Sequence, residues 1–301
     1  MDYSSVKNLP GGVKAVAVSG VKHFDVNMIF DCGQAFRFNP VAGSAHESEW
    51  SGVARGRFIS VAQDGDDVII YNADEADFYA IWEKYFTLDA DYGEIEADIL
   101  SRSDSPRLRE AVDHGDGIRI LRQEPWETLC SFIISQNNNI PRIKSLVSAL
   151  SAAAGERVNT AGMEPHGASS AEYSFPSAER TAALGEQALK DLHMGFRAGY
   201  IADTSSRVAS GEIPLEAVYG FGDTAEASAY LQRFRGVGPK VAACALLFGF
   251  FRTDSFPIDV WIRRVLEKYY PAGFDPKTLG PYAGIAQQYL FRYERETSVS
   301  S

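Results

Sequence analysis

The sequence predicts an α+β protein in which an antiparallel β-sheet domain with a covering helix precedes an all-α part. Two observations indicate this class. Short β-rich runs with turn residues between them fill 12–71, whereas apolar residues beyond Pro106 recur at helical spacing without a convincing strand. The predicted domains are therefore residues 1–105 and residues 106–301.

The sheet is predicted from four runs, VKAVAV, FRF, FISVA and DVIIY, the last two joined by a Gln-Asp-Gly-Asp-Asp turn. A helix is expected over 75–86, because aromatic and aliphatic residues recur there at helical spacing. These residues, which would cover one face of the sheet, are Phe78, Ile81, Trp82, Tyr85 and Phe86.

In the second part, Gly, Pro and Ser-rich turns interrupt the helical pattern. Residues 152–174 are small and polar, and they are predicted to form a loop or a poorly packed connector. No internal repeat is evident in the sequence.

The composition is that of a globular chain, with 301 residues of which 45% are hydrophobic and 12% aromatic. No apolar run reaches the roughly 20 residues of a membrane helix, and residues 1–10 lack the pattern of a secretory signal. We expect an intracellular monomer with no membrane partner, cytoplasmic in a prokaryote or nuclear in a eukaryote.

The cysteines argue against several kinds of site. Cys32, Cys130 and Cys244 lie far apart and form no C-x-x-C spacing. A disulfide framework, a structural zinc site and a four-cysteine iron–sulfur cluster are therefore not expected. The five histidines are equally scattered, so no metal site built from side chains is predicted.

The formal net charge of −11 by itself speaks against a nucleic-acid partner, but the charge is unevenly distributed. Residues 71–105 carry ten acidic and two basic residues, a net of −8. Residues 231–270 carry seven basic and three acidic residues, a net of +4. A basic surface can therefore coexist with an acidic surface elsewhere on the protein.

The sequence contains a glycine hairpin at about 231–250. Leu231, Phe234 and Val237 have the apolar spacing of a short helix. The residues GVGP (236–239) then supply two glycines for a tight turn and a proline suited to the first helical position.

Such a helix–hairpin–helix directs free backbone N–H groups outward, and the positive end of its second helix favours an anion. Arg233 and Arg235 lie beside it, so a DNA phosphate is the predicted ligand. Considered alone, the hairpin is explained equally well as a turn between two core helices.

Lys240 occupies the first turn of the second hairpin helix. The positive helix end disfavours an ammonium there, which favours a neutral, nucleophilic amine. A phosphate contact is the other use of a lysine at this position. Cys244 lies one turn further along the same helix face, so both side chains are predicted to face one pocket.

Asp259 stands in the sequence Phe-Pro-Ile-Asp-Val, immediately before a predicted amphipathic helix over 260–269. A helix N-cap worth about 1 kcal/mol is one explanation. A capping carboxylate is also held in a fixed orientation by backbone N–H groups. A general base or an electrostatic catalyst needs the same restraint.

Five segments resemble the helix–hairpin–helix DNA glycosylase superfamily, specifically its bifunctional 8-oxoguanine DNA glycosylase/lyase family. They occur in the family's order over most of the chain, and this order makes the resemblance specific. The segments are CGQAFRF (32–38), ILRQEPWETLCSFIISQNNNIPRI (120–143), MGFRAGYI (194–201), GVGPKVAACALL with the following FPIDV (236–260), and YAGIAQQYLF (282–291).

The resemblance implies that Lys240 is the Schiff-base nucleophile and that Asp259 assists it. It also implies that Gly33 offers its backbone carbonyl to N7–H of 8-oxoguanine, a proton that guanine lacks. Cys244 and Phe291 would sandwich the flipped base, and Gln287 would bind its Watson–Crick edge. Without the resemblance, Cys244 and Phe291 read as core residues and Gly33 as a turn glycine.

A second set of residues is implied to contact DNA around the flipped base. Asn137 and Phe196 match the positions that fill the vacated space. Arg142 and Arg197 match the pair that donates to the orphaned cytosine, although each arginine also suits a phosphate contact or a solvated face. Within the hairpin, Gly236 and Gly238 would contact the DNA backbone.

The resemblance thus implies an enzyme of base-excision repair that excises 8-oxoguanine opposite cytosine from duplex DNA, through base flipping, a lysine Schiff base and β-elimination. No redox cofactor is implied, and a metal ion held by hairpin carbonyls is the one cofactor left open. The alternatives are a glycosylase of this fold for another damaged base and a non-catalytic helix–hairpin–helix DNA-binding module. One position departs from the family pattern, since Trp261 stands where relatives carry a histidine.

Overall fold

The computed structural model describes residues 2–169 and 171–299, and its N-terminal part is built on one antiparallel sheet of six strands. The strands lie across the sheet in the order β1-β2-β6-β5-β4-β3. They are β1 Ser5–Asn8, β2 Ala15–Ser19, β3 Phe38–Pro40, β4 Ser48–Ala54, β5 Arg57–Asp64 and β6 Asp67–Tyr71. The antiparallel sheet predicted from sequence is therefore confirmed.

Strands β1 and β4 were not predicted. Strand β1 has only four residues and is mostly exposed, so it carries little hydrophobic pattern. Strand β4 reads SEWSGVA, and its polar Glu49 and Ser51 are buried together with its apolar residues. Alternation of apolar and polar residues therefore could not reveal it.

Two helices cover one face of the sheet. Helix α1 is Val26–Phe30, and helix α2 runs over 75–85 as the continuous segments Glu75–Asp77, Phe78–Trp82 and Glu83–Tyr85, the middle one with wider π-helical turns. Phe78 and Trp82 are fully buried and belong to the same apolar core as Val61 and Ile70 of the sheet. The predicted covering helix is confirmed.

The remainder of the described chain is helical, as predicted. Its helices are α3 Tyr92–Ser101, α4 Pro106–His114, α5 Pro125–Ile134, α6 Ile140–Ala154, α7 Ala178–Asp191, α8 Arg197–Ala209, α9 Thr224–Leu231, α10 Pro239–Gly249, α11 Val260–Tyr269 and α12 Ala283–Val299. Helix α7 is interrupted at Gly185, and short 3₁₀ turns lie at Glu164–His166, Leu215–Gly220 and Pro276–Tyr282. Among the described residues after 106, the only β pairing is the isolated bridge between Arg157 and Tyr173.

Helix α3 precedes the predicted domain boundary at residue 105 but packs with the helices. Its buried Tyr92, Ile95 and Ile99 belong to the large helical core rather than to the core beneath the sheet. The division into 1–105 and 106–301 stays a prediction.

The connector after α6 lies on the outer face of the sheet. Met163 is fully buried and packs with Val53 and Phe58. The guanidinium of Arg37 donates to the carbonyl oxygen of Tyr173. No described helix combines the length and the hydropathy needed to cross a membrane.

Candidate active site

The hairpin joins α9 to α10 through residues 232–238. The prediction that Leu231, Phe234 and Val237 share a helix was wrong beyond Leu231, where α9 ends. Phe234 and Val237 are buried beneath the turn and anchor it instead. Gly236 has φ +81°, and a Cβ there would lie 2.3 Å from Cδ2 of Tyr200, so only glycine fits.

Two arginines extend from this hairpin into solvent. The guanidinium of Arg233 lies 5.0 Å from the ring centroid of Tyr230, and that of Arg235 lies 5.7 Å from the ring centroid of Tyr200. Both arginines are exposed. Helix α10 follows with Gly238 at its N-cap, which offers no side-chain acceptor to the first N–H groups. These features form a cationic surface with free backbone donors, as an anion site requires.

Lys240 lies at the second position of α10 and points towards α5. Its Nζ is 5.1 Å from the ring centroid of Phe132. One turn further, Cys244 is buried. Burial raises the pKa of the Cys244 thiol, and the neighbouring Lys240 charge only partly opposes this. Cys244 is therefore a neutral thiol against which an aromatic base can pack.

Asp259 is the N-cap of α11, which spans the predicted 260–269. Its Oδ1 accepts hydrogen bonds from the backbone N–H of Trp261 (3.0 Å) and Ile262 (2.8 Å). No described residue donates to Oδ2. The carboxylate is thus fixed through one oxygen while the other remains available to the cleft that Asp259 lines.

Six predicted residues meet at one small cavity of about 60 Å³. These residues come from the turn after α1 and from α10, α11 and α12, and they are Gly33, Lys240, Cys244, Asp259, Gln287 and Phe291. The cavity adjoins a cleft of about 910 Å³, since both are lined by Gly33, Lys240, Asp259 and Phe291. A group extruded into the cleft would reach the lysine and the carboxylate together.

Gln287 is the most informative residue of the small cavity. Its side chain is buried, yet Oε1 has no hydrogen-bond partner among the described residues. An unpaired buried carbonyl oxygen costs about 1–3 kcal/mol, so such groups are retained where a ligand completes them. A heterocycle with N–H donors on its edge would supply the missing partner.

Gly33 faces Phe291 across the cavity. Its φ is +78°, and a Cβ at this position would lie 3.6 Å from Cε1 of Phe291. Its carbonyl oxygen accepts no hydrogen bond from any described residue, although the turn around it is densely bonded. The cavity thus offers a free backbone acceptor, an aromatic face and the free Oε1 of Gln287.

The asparagine-rich loop between α5 and α6 borders the wide cleft. Asn137 is exposed and has φ +49°, a conformation that few non-glycine residues adopt. Phe196 is 54% exposed and lines the same cleft. Both residues project where a side chain could enter a duplex.

The two predicted arginines occupy different environments. Arg142 is exposed in the first turn of α6. Arg197 is 5% exposed, and its guanidinium donates to the carbonyl oxygens of Gln136 and Asn137. Burial, and then the charge of Arg142, lower the pKa of Arg197, as expected for two neighbouring cations. Neither arginine lines the cleft as it stands, so their contact with an opposite base stays a prediction.

The chain is similar to known proteins in sequence and in overall structure. The family model described as 8-oxoguanine DNA glycosylase, N-terminal domain, matches residues 17–129. A solved structure of Clostridium acetobutylicum 8-oxoguanine glycosylase/lyase, in complex with double-stranded DNA containing cytosine opposite 8-oxoG, is 37% identical. It superposes with a TM-score of 0.87, covering 99% of this chain and 100% of the other. This chain belongs to the 8-oxoguanine DNA glycosylase/lyase family.

Other members of the glycosylase/lyase family are similar over shorter stretches. An N-glycosylase/DNA lyase of Saccharomyces cerevisiae is 33% identical in an alignment of 197 positions, which covers 62% of this chain and 50% of the yeast protein. An N-glycosylase/DNA lyase of Arabidopsis thaliana is 29% identical in an alignment of 296 positions, which covers 88% of this chain and 75% of the plant protein.

Two residues of the candidate site were missed from sequence. Phe132 and Gln288 line the small cavity, the first beneath Lys240 and the second beside Gln287. Phenylalanine and glutamine are both common in helices, so only the position of each residue inside a segment that resembles the family could have indicated its role. Trp261 lines the wide cleft, with the Arg264 guanidinium 4.9 Å from its ring centroid.

Proposed function

We propose that this chain is a bifunctional DNA glycosylase/lyase that removes 8-oxoguanine from duplex DNA in base-excision repair. The observation that carries the proposal is the convergence of Lys240, Asp259, Gly33 and Gln287 on one cavity. A nucleophile, a fixed carboxylate and two unoccupied acceptors together suit a damaged base attached to a sugar. The Clostridium relative, crystallised with such a lesion, supports this substrate.

In the proposed reaction, Lys240 first gives up a proton and then attacks C1′ of the flipped nucleotide. The N-glycosidic bond breaks, and its electron pair leaves with the base, which takes up a proton. Asp259 stabilises the positive charge that develops on the sugar, because its negative charge is held at the cleft by two backbone N–H groups.

The lyase step follows from the bond that Lys240 has formed. Opening of the sugar ring turns the amine adduct into an imine, the Schiff base, and its positive charge acidifies the protons at C2′. Loss of a C2′ proton expels the 3′ phosphate by β-elimination and cuts the strand. No electrons enter or leave these steps, so the proposed reaction needs no redox cofactor.

Base recognition would use the free groups of the cavity. The Gly33 carbonyl accepts N7–H of 8-oxoguanine, whereas guanine presents a lone pair there and is repelled. Gln287 binds the Watson–Crick edge through its unpaired oxygen. Cys244 and Phe291 pack against the two faces of the ring.

The DNA partner would lie along the wide cleft and the hairpin. Gly236, Gly238 and the neighbouring arginines would bind backbone phosphates. Asn137 and Phe196 would fill the space that the base vacates, and Arg142 with Arg197 would donate to an orphaned cytosine. We propose that the chain acts as a monomer in the compartment that holds genomic DNA. A cation at the hairpin carbonyls would contact a phosphate and not the sugar.

The proposal is tested by borohydride trapping on duplexes that carry 8-oxoguanine opposite each of the four bases. We expect a covalent complex with the cytosine-paired lesion, its loss in Lys240→Gln, and its retention in Lys277→Gln, an exposed lysine outside the site. DNA binding without any adduct would favour the non-catalytic module. Stronger trapping on an alkylated purine would favour a glycosylase for another base.

A further inference from the structure

The turn that carries Gly33 is held by donors from two sides. From α12, Gln288 donates its Nε2–H to the carbonyl oxygen of Cys32 at 3.1 Å. The guanidinium groups of Arg292 and Arg295 both donate to the carbonyl oxygen of Asp31. The carbonyl oxygens on the N-terminal side of Gly33 are therefore bonded to one helix.

The other side of the turn is fixed by glutamines. Gln123 donates to the carbonyl oxygen of Gln34 at 2.9 Å. The side chain of Gln34 itself donates to the carbonyl oxygen of Arg119 at 2.8 Å and accepts from the N–H of Leu121 at 2.8 Å. Among the described carbonyls of residues 31–34, only that of Gly33 has no donor.

This pattern points to one side chain outside the predicted site. We propose that Gln288 is a positioning residue that sets the preference for 8-oxoguanine over guanine, by holding the Cys32 carbonyl and so directing the carbonyl of Gly33. The inference rests on the proposed function, in which the Gly33 carbonyl reads N7–H.

The physical argument concerns the direction of a single acceptor. A hydrogen bond weakens steeply when its angle falls from above 150° towards 120°, so discrimination through one carbonyl depends on how firmly that carbonyl is aimed. Gly33 lacks a Cβ and has φ +78°, so its own side-chain sterics restrain the backbone little. The restraint must come from the neighbouring peptide groups, and Gln288 holds the carbonyl oxygen of the one on the N-terminal side.

Gln288 is well placed for this task because it is buried and adjoins Gln287 on α12. Consecutive helical residues point about 100° apart, so one glutamine reaches the base edge while the next reaches the turn. The contact to the Watson–Crick edge and the contact to N7 are thereby both positioned by helix α12.

The test compares Gln288→Leu and Gln288→Met with Tyr289→Phe. The first two remove the donor to Cys32 while keeping the volume nearly unchanged. The control removes the 2.7 Å bond from the next residue of α12 to Glu96, away from the turn. Each change is placed in a Lys240→Gln background, and affinities are measured for duplexes with 8-oxoguanine, guanine or a tetrahydrofuran abasic analogue opposite cytosine.

We expect both Gln288 variants to lower the affinity ratio of 8-oxoguanine to guanine about five- to tenfold, the loss of one well-aimed hydrogen bond. Abasic binding should stay within about twofold, and Tyr289→Phe should keep the wild-type ratio. An unchanged ratio, or an equal loss on all three duplexes, would refute the positioning role. A parent Lys240→Gln protein without any preference for 8-oxoguanine would instead refute the proposed function and this inference with it.

Discussion

The Nε of Arg197 lies 2.9 Å from the carbonyl oxygen of Gln136, so a buried guanidinium secures the loop that carries Asn137. Arg142 projects from the same region into solvent. Both arginines match positions of the family, but replacing them would therefore disrupt different interactions. Arg197 supports the loop, whereas no described residue pairs with the guanidinium of Arg142.

Replacing the two arginines separately should therefore have different effects. Arg142→Ala should reduce the preference for cytosine opposite the lesion, with the melting temperature changed little. Arg197→Ala should also reduce the cytosine preference. Because it leaves buried carbonyls without donors, it should in addition destabilise the fold by about 1–3 kcal/mol and weaken excision opposite every base. Single-turnover rates against four opposite bases, with thermal unfolding of each variant, check this. If Arg142→Ala keeps the full cytosine preference, its assignment is wrong.

Alanine substitutions at Gly33 and at a second glycine should separate the effect of backbone strain from the effect of filling the cavity. Gly33→Ala places a methyl group near Phe291 and forces an L residue to φ +78°, which costs about 1–2 kcal/mol. Gly43→Ala imposes the same strain at φ +73°, where no atom lies within 4 Å of the new methyl. Both variants should lose similar stability in urea denaturation, and only Gly33→Ala should lose excision of 8-oxoguanine. Equal activity of the two variants would contradict the base cavity.

The sequence predicted the sheet, its covering helix and the helical second part, because these follow from local periodicity. It also predicted the N-cap role of Asp259, since capping depends on neighbours in the chain. It could not predict that Gln288 bonds to Cys32, because that contact joins residues 256 positions apart. The sequence also could not predict that Arg197 points inward, since an arginine in the sequence can donate equally well to protein carbonyls or to DNA.

A carboxyl group on α5 should make stability depend on pH. The side chain of Glu127 is 17% exposed, and its nearest cationic atom, Nη1 of Arg37, is 3.9 Å away. Burial raises the pKa of Glu127 to about 7, with the Arg37 charge opposing. Because this pKa exceeds the unfolded value near 4.5, the folded protein binds more protons than the unfolded chain between these pH values.

The stability that Glu127 contributes is therefore complete below about pH 4.5 and is lost as the pH rises through about 7. Glu127→Gln should be more stable than the wild type at pH 8 and should lose this advantage at pH 5. Melting temperatures at the two pH values measure it. Glu216→Gln, at an exposed carboxyl outside α5, is the control and should show a smaller difference. An advantage of Glu127→Gln that does not depend on pH would exclude this titration.

Replacing Gln287 should raise the stability of the protein and lower its activity. Its buried Oε1 has no partner among the described residues, so Gln287→Leu removes an unsatisfied acceptor and should raise the melting temperature by a few degrees, about 1 kcal/mol. The same change removes the group that would bind the base edge, so 8-oxoguanine excision should fall at least tenfold. Thr204→Val is the matched control, since Oγ1 of Thr204 is also buried and unpaired but lies outside the cavity. It should gain comparable stability and keep full activity. If Gln287→Leu were destabilised while retaining activity, Oε1 would be satisfied within the protein, and the base would be read elsewhere.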